Sequence, residues 1–282
     1  VARPSDDAAA LWLYRNLPRF LAYDLTRWKN VLVGMFLYRL LRRWPQRAKQ
    51  RLVGLASKAL GPEFDVGKHF TPRYNPWDQR VCALPDGDLF EQIKSGRASV
   101  VTDQIARLSA NGIELASGEV LTADIIVSAT GLKLNVLGDI ELSVDGAAFD
   151  PSKALTYKGM MLSDLPNCVM TYGYTNASWT LKADLTASYV CRLLNFMDRH
   201  QFTVASPEGN PREERLPFLG FTSGYVQRSI DALPKQGRRW PWRVYQNYLA
   251  DLLAIRWSRI DDGVMRFESS FESLQARRAT SS

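Results

Sequence analysis

Leu181, Leu185, Tyr189, Leu193 and Met197 recur four residues apart, directly after the apolar run "NCVMTYGYT", Asn167 to Thr175. Residues four apart stack along one side of an α-helix, so this spacing predicts a helix with one buried face. The run before it reads as a strand ending at Gly173. Between the two, "NASWT" supplies small and polar residues, with Asn176 or Ser178 as the N-cap. A strand that turns straight into a long amphipathic helix is a building unit of α/β folds. It also leaves backbone N–H groups free at the helix start, where an anionic or electron-rich ligand can sit. Every α/β protein has such turns, so this pattern points to a fold class and not to a function.

Upstream, residues from about Asp7 to Leu60 read as helices. Leu11, Tyr14, Leu17, Val31, Met35, Tyr38 and Leu41 recur at helical spacing, and Pro18 and Pro45 cut the stretch into pieces. The charge of the whole chain is +7, yet Ala8 to Leu60 alone holds eleven Lys or Arg and one acid, Asp24. A basic amphipathic stretch fits a solvated helical face or an anionic membrane surface. No nucleic-acid-binding module accompanies it. Its longest nearly apolar run, Val31 to Tyr38, is far short of the roughly 20 residues that cross a bilayer.

Further on, Pro72, Pro76, Phe70, Tyr74 and Trp77 predict a rigid, packed loop. A short helix follows over Asp86 to Gly96, capped by Asp86 or Asp88. "ASVVTD", "QIARLSA", "IELA" and "EVLTADIIVSATG" read as strands of a small antiparallel meander. Asn111-Gly112 is its hairpin turn and Ser117-Gly118 the next. The last strand ends in Ser128, Ala129, Thr130 and Gly131. Four small residues bury little surface but let the backbone approach another group closely. A final helix is expected over Arg243 to Trp257, and a polar tail after Leu274.

Cys82, Cys168 and Cys191 are far apart and odd in number, and His69 and His200 are isolated. This predicts no disulfide framework, no metal site and no Ser-His-Asp triad, and it fits a reducing, cytoplasmic compartment. No two glycines stand one residue apart, so neither a GxGxxG phosphate loop nor a P-loop is present.

Taken in order, "FTPRYNPWDQRVC", "ASVVTDQI", the Asn-Gly hairpin, "ADIIVSATG" and "GYTNASWTLKADL" resemble the C-terminal half of the class B flavoprotein monooxygenases, the flavin-containing and Baeyer–Villiger enzymes. The likeness runs over roughly residues 1 to 265 and is greatest to the mycobacterial-type ketone and thioamide-activating members. It implies an α/β fold with two dinucleotide-binding (Rossmann-type) domains, here truncated, with a helical insertion and a small antiparallel meander. Residues 1–120 would be the later part of an NADPH-binding domain. Residues 121–265 would be the returning part of an FAD-binding domain with the C-terminal side of the substrate pocket, and 266–282 a tail. The glycine loops of the family would lie upstream of Val1, so the chain alone is expected to bind FAD poorly and to be inactive.

The activity implied is FAD- and NADPH-dependent insertion of one oxygen atom from O2 into a ketone, or its transfer to sulfur or nitrogen (sulfides or thioamides among the substrates), through a C4a-peroxyflavin. Such chemistry needs a fixed cation beside developing negative charge, and arginine, always charged, suits it. Arg80 stands where the family places its active-site arginine, with Arg73 a local competitor. The lysine before that arginine in many relatives is Gln79 here, which weakens the expectation of NADPH over NADH. Ala129, Thr130 and Gly131 would lie where two cofactors approach each other. Asn176, Ser178, Trp179 and Thr180 would face the flavin from the helix start. Lys182 and Asp184 read as solvated or salt-bridged, and the cysteines as small buried residues. Two other readings compete. One is a non-catalytic membrane-surface protein using residues 8–60. The other is an NAD(P)H-dependent flavin disulfide reductase, which would need a redox cysteine pair that this chain lacks.

Overall fold

The structure, a computed structural model, describes residues 2–4 and 6–269. Its contacts divide the chain into two compact units. One is built from residues up to Asn30 together with Phe36–Leu132, the other from Val31–Met35 together with residues from Lys133 on.

The first unit opens with β1 (Ala2–Arg3), α1 (Ala8–Asn16), α2 (Arg19–Arg43) and α3 (Pro45–Leu60). The two prolines act as expected. Pro18 stands at the N-cap of α2, and Pro45, which lacks an N–H to satisfy, takes the first position of α3. Asp7 caps α1 by accepting from the Ala10 N–H at 3.1 Å. Of α2, Val31–Met35 group with the second unit, Val31 buried in its core and Met35 half-buried against it, while Tyr38 and Leu41 are half-buried and Leu11 and Tyr14 of α1 are exposed. α4 (Val66–His69), β2 (Leu84–Pro85) and α5 (Asp88–Lys94) follow. Ala56, Leu60, Val66 and Phe90 form the core between them, with Val53, Phe64, Phe70 and Leu84 packed against it. Gly87 holds the cap position of α5 with φ +76°, so neither aspartate caps it. β3 (Ile105–Ser109), β4 (Gly112–Leu115) and β5 (Val120–Thr122) form the expected meander, an antiparallel sheet in the order β3-β4-β5. Its first turn sits one residue earlier than Asn111-Gly112. Ser109 pairs with Gly112, so Ala110 and Asn111 make the corner. Gly112 is fixed instead by packing, because a Cβ there would strike the Leu121 carbonyl oxygen.

The second unit begins with the short pairs β6 (Ser143–Val144) and β7 (Ala147–Ala148), then β8 (Thr156–Tyr157) and β9 (Met161–Leu162). Then come α6 (Trp179–His200), β10 (Phe202–Pro207), β11 (Leu216–Pro217), α7 (Gly224–Gln227), β12 (Lys235–Gln236), α8 (Tyr248–Arg256) and β13 (Met265–Ser269). All five residues of the predicted α6 face are buried, and they share one core with Leu155, Tyr157, Met160, Tyr174, Ile255 and Met265. β10 pairs antiparallel with β13, Pro207 opposite Met265. Residues 266–269 of the expected tail therefore belong to a strand, and the polar end after Leu274 lies outside the described residues. α8 starts at Tyr248, later than expected, because Asn247 caps it through the Ala250 N–H.

Three expected strands are absent. "ASVVTD", "NCVMTYGYT" and "ADIIVSATG" carry no strand ladder. β-Branched composition favours extended backbone, but a strand needs a neighbour to accept and donate along its edge. Asn167–Thr175 finds only isolated partners, the Asn167 N–H donating to the Ala205 carbonyl at 2.9 Å and the Met170 N–H to the Met160 carbonyl at 2.7 Å, which do not make a ladder. Without a ladder of their own, Ile125 and Val127 are 82% and 83% exposed. The result is an α/β chain with several small, mostly antiparallel sheets.

Candidate active site

Arg80 ends a loop held rigidly by local bonds. The Asp78 N–H donates to the Asn75 carbonyl at 3.1 Å, and the Asn75 N–H donates to Asp78 Oδ2 at 3.2 Å. Arg42 of α2 pairs with Asp78 at 2.8 Å, and Gln46 of α3 donates to Asn75 Oδ1 at 3.2 Å. Trp77 meets Tyr38 edge-on, ring centroids 5.2 Å apart. Its indole Nε1 is buried without a hydrogen-bond partner, an unmet donor three residues from Arg80.

The Arg80 side chain is exposed at a cleft of about 440 Å³. One wall is apolar, with Leu52, Val53 and Ala56 from α3, Phe70, and Leu89 and Phe90 from α5. Lys49, Tyr74 and Cys82 add the polar groups. Arg80 and Lys49 make no ion pair with a carboxylate among the described residues. A cation that no carboxylate neutralises, beside an apolar wall, can stabilise negative charge that develops there. Arg73 is exposed and does not line this cleft.

Ala129, Thr130 and Gly131 also lie in the first unit, in exposed coil and not at a strand end. Gly131 has φ +118°, a backbone state that favours glycine, so the turn itself accounts for that residue.

Asn176, Ser178, Trp179 and Thr180 lie in the second unit at the start of α6. Asn176 Nδ2 donates to the Gln246 carbonyl at 2.9 Å. Ser178 occupies the N-cap position, but its hydroxyl shares a 2.8 Å hydrogen bond with Thr180 and caps no N–H. No side chain caps the first turn, and the Leu181 N–H donates to the Ser178 carbonyl at 3.3 Å. Trp179 is 57% exposed and is not a core residue. Its ring sits against Gly173, where any Cβ would overlap it. The Arg80 group and the Asn176 group thus fall in different units.

Sequence reading missed two buried ion pairs in the second unit. Lys182 and Asp251, each 2% exposed, approach to 2.9 Å. Tyr174 donates to the same carboxylate oxygen at 2.7 Å, and Lys182 donates to the Lys158 carbonyl at 3.1 Å. Burial pushes the Asp251 carboxyl up and the Lys182 ammonium down, each opposed by the partner's charge. Lys158, fully buried, pairs with Asp262 at 2.9 Å. Its ammonium lies 4.7 Å from the ring centroids of Tyr157 and Tyr189. Burial raises Asp262, but the Tyr157 hydroxyl at 2.6 Å and the Lys158 charge outweigh it and leave the carboxyl below its usual range. Burial pushes the Tyr189 hydroxyl up to about 12. Asp262 faces a hollow of about 550 Å³ with Trp240, Ser258, Arg259 and Asp261. No spacing announces these pairs, because their partners are about seventy and a hundred residues apart in sequence.

Both histidines have local partners. His69 Nδ1 bonds Thr102 at 2.8 Å, and His200 packs on Phe196 at 4.4 Å. Cys82 and Cys191 are exposed and not buried as expected; Cys82 lies in the coil before β2 and Cys191 on the exposed side of α6. Among the described residues no His, Cys, Asp and Glu cluster could hold a metal. No described helix is long and apolar enough to cross a membrane.

No protein-family model matches this chain, and no solved structure matches it. Three similar curated proteins carry related names. FAD-containing monooxygenase EthA of Mycobacterium tuberculosis is 51% identical over 269 residues, which is 95% of this chain and 55% of that protein. EthA of Mycolicibacterium smegmatis is 46% identical over 275 residues, 97% of this chain and 56% of that protein. "Probable FAD-binding monooxygenase AlmA" of Acinetobacter baylyi is 46% identical over 276 residues, 97% and 55%. The chain spans about half the length of the curated relatives it matches.

Proposed function

Because this chain belongs to the FAD-containing monooxygenase family, we propose that it forms part of an enzyme that uses NADPH and O2 to place one oxygen atom into a ketone or onto sulfur or nitrogen. The carrying observation is Arg80, which has no carboxylate partner among the described residues, at an apolar cleft in a chain 51% identical to an FAD-containing monooxygenase. FAD, when bound, supplies the oxygen-transfer chemistry. The residues present fit the reactive end of that group. A guanidinium with no carboxylate partner among the described residues would hold negative charge beside it, and the wall of Leu52, Val53, Leu89 and Phe90 would keep water from the substrate. They do not supply a pyrophosphate cradle, since no GxGxxG loop occurs in the sequence.

In this reading residues 1–120 complete an NADPH-binding domain and 121–265 an FAD-binding domain, with 266–282 beyond it. Ala129, Thr130 and Gly131 then pass close to the cofactors. The N-terminal end of α6 at Ser178 and Thr180 favours negative charge on the flavin ring, while Asn176 holds the turn and Trp179 flanks it. The chain by itself binds FAD weakly and is inactive. A contact with a membrane surface through residues 8–60 forms part of the same proposal, supported by eleven cations to one acid there.

The test uses a protein that carries this chain at the full length of its relatives. Arg80→Ala is expected to keep the yellow FAD absorbance and to lower oxygenated product by about 100-fold or more, with Arg80→Lys intermediate. Product within threefold of the parent would refute the role of Arg80.

A further inference from the structure

We propose that the cleft beside Arg80 takes a substrate with an apolar body and an anionic end, and that Lys49 holds the anion. This rests on the monooxygenase reading above and names the class of substrate for the same cleft.

Lys49, Leu52, Val53 and Ala56 follow one another at steps of three, one and three residues, which keeps them on one face of α3. All four line the cleft. The helix therefore lays a cation and then three apolar side chains along one wall. At about 1.5 Å rise per residue, Lys49 and Ala56 lie roughly 10 Å apart along the axis. Phe90 of α5, itself buried, continues the apolar lining. The volume of about 440 Å³ falls within the range of about 300–1,000 Å³ usual for small-molecule sites.

Charge selects the end group. Lys49 and Arg80 are the cations of the cleft, and no Asp or Glu lines it among the described residues. Neither cation pairs with a carboxylate among the described residues. Lys29 and Arg42 of α2, by contrast, are held by Asp7 and Asp78. Oxygen transfer employs Arg80 and leaves Lys49 without a task. Lys49 is half-buried, so water competes less for its ammonium than at an exposed lysine, and a carboxylate there makes a charge-assisted hydrogen bond. A lysine stem can lie on apolar surface while its charge stays at the rim, which joins the two halves of the site. The wall then separates the possible anions. A small inorganic anion gains no apolar burial from it, and a phosphate on a polar sugar meets it with hydroxyl groups. An apolar chain that ends in a carboxylate satisfies both.

The experiment uses a protein that carries this chain at the full length of its relatives. Calorimetry measures the binding of octanoate, with octan-1-ol as the neutral probe and acetate as the short one. Octanoate is expected to bind about tenfold more tightly than octan-1-ol and at least 100-fold more tightly than acetate. Lys49→Gln should lower the ratio of octanoate to octan-1-ol affinity about tenfold, and Lys49→Arg should keep it. Lys58→Gln, an exposed lysine of α3 outside the cleft, controls for overall charge and should leave the ratio within twofold. In turnover, the ratio of kcat/KM for 7-oxooctanoate to that for 2-octanone should also fall about tenfold in Lys49→Gln. Octanoate no tighter than octan-1-ol overturns the proposal, as does a Lys49→Gln ratio within twofold of the parent. Acetate or inorganic phosphate bound as tightly as octanoate overturns the apolar body. Failure of the monooxygenase reading shows separately, because the binding readout needs no FAD. Octanoate binding that depends on Lys49, with no product from either ketone, supports the site and removes oxygen transfer from it.

Discussion

Lys182→Met removes the ammonium from a pocket where it is the main neutraliser of Asp251. Both groups are almost fully buried and 2.9 Å apart, and only the Tyr174 hydroxyl would remain on the carboxylate. Removing one member of a buried pair leaves an uncompensated charge and costs about 3–5 kcal/mol, against about 0–1 kcal/mol for an exposed pair. Urea unfolding with a fixed m-value measures the difference. Lys182→Met/Asp251→Asn should recover at least half of the loss, because the amide oxygen still accepts from Tyr174 and no charge is buried. The pH dependence has a definite sign. Burial already raises the Asp251 carboxyl, and without Lys182 the rise is larger. A carboxyl whose pKa is higher folded than unfolded binds more protons in the folded state, so the variant gains stability as pH falls from neutral toward its unfolded value. Its deficit relative to the parent should shrink over that window. A loss under about 1 kcal/mol, or a deficit flat with pH, would refute the burial account.

Three further outcomes follow from local geometry, beside the Arg80 test. Gly112→Ala should destabilise by about 2–4 kcal/mol in thermal unfolding, since a Cβ strikes the Leu121 carbonyl oxygen at φ +144°. Gly118→Ala, with φ +88° and open space, should cost only about 1 kcal/mol. Asp7 is held at about 2 by hydrogen bonds from Lys29 and the Ala10 N–H. Its contribution is present above the ordinary carboxyl range and fades as pH falls through that value. Lys29→Gln should return its NMR titration midpoint toward 3.8.

The α6 face was legible because burial of one side of a helix writes itself at a period near 3.6, and all five predicted residues are buried. Pro18 and Pro45 were legible for an equally local reason, the missing N–H. "ADIIVSATG" misled because β-branched composition reports an extended preference and not the presence of a neighbouring strand. The Asn111-Gly112 turn misled because Gly112 answers to Leu121 across the sheet, not to its own corner. Arg80 could be named from its surrounding motif, whereas the cleft beside it could not. Its walls come from α3, α5 and the loop around Phe70, brought together only by folding.

By itself the sequence determined what nearest neighbours along the chain decide: the helix starts at Pro18 and Pro45, the meander, the concentration of positive charge before Leu60, and kinship with flavin monooxygenases through short motifs in order. Tertiary structure alone decided which charges are buried. Lys182 and Lys158 look like any surface lysine until Asp251 and Asp262 arrive from far along the chain, and only that meeting makes their burial tolerable.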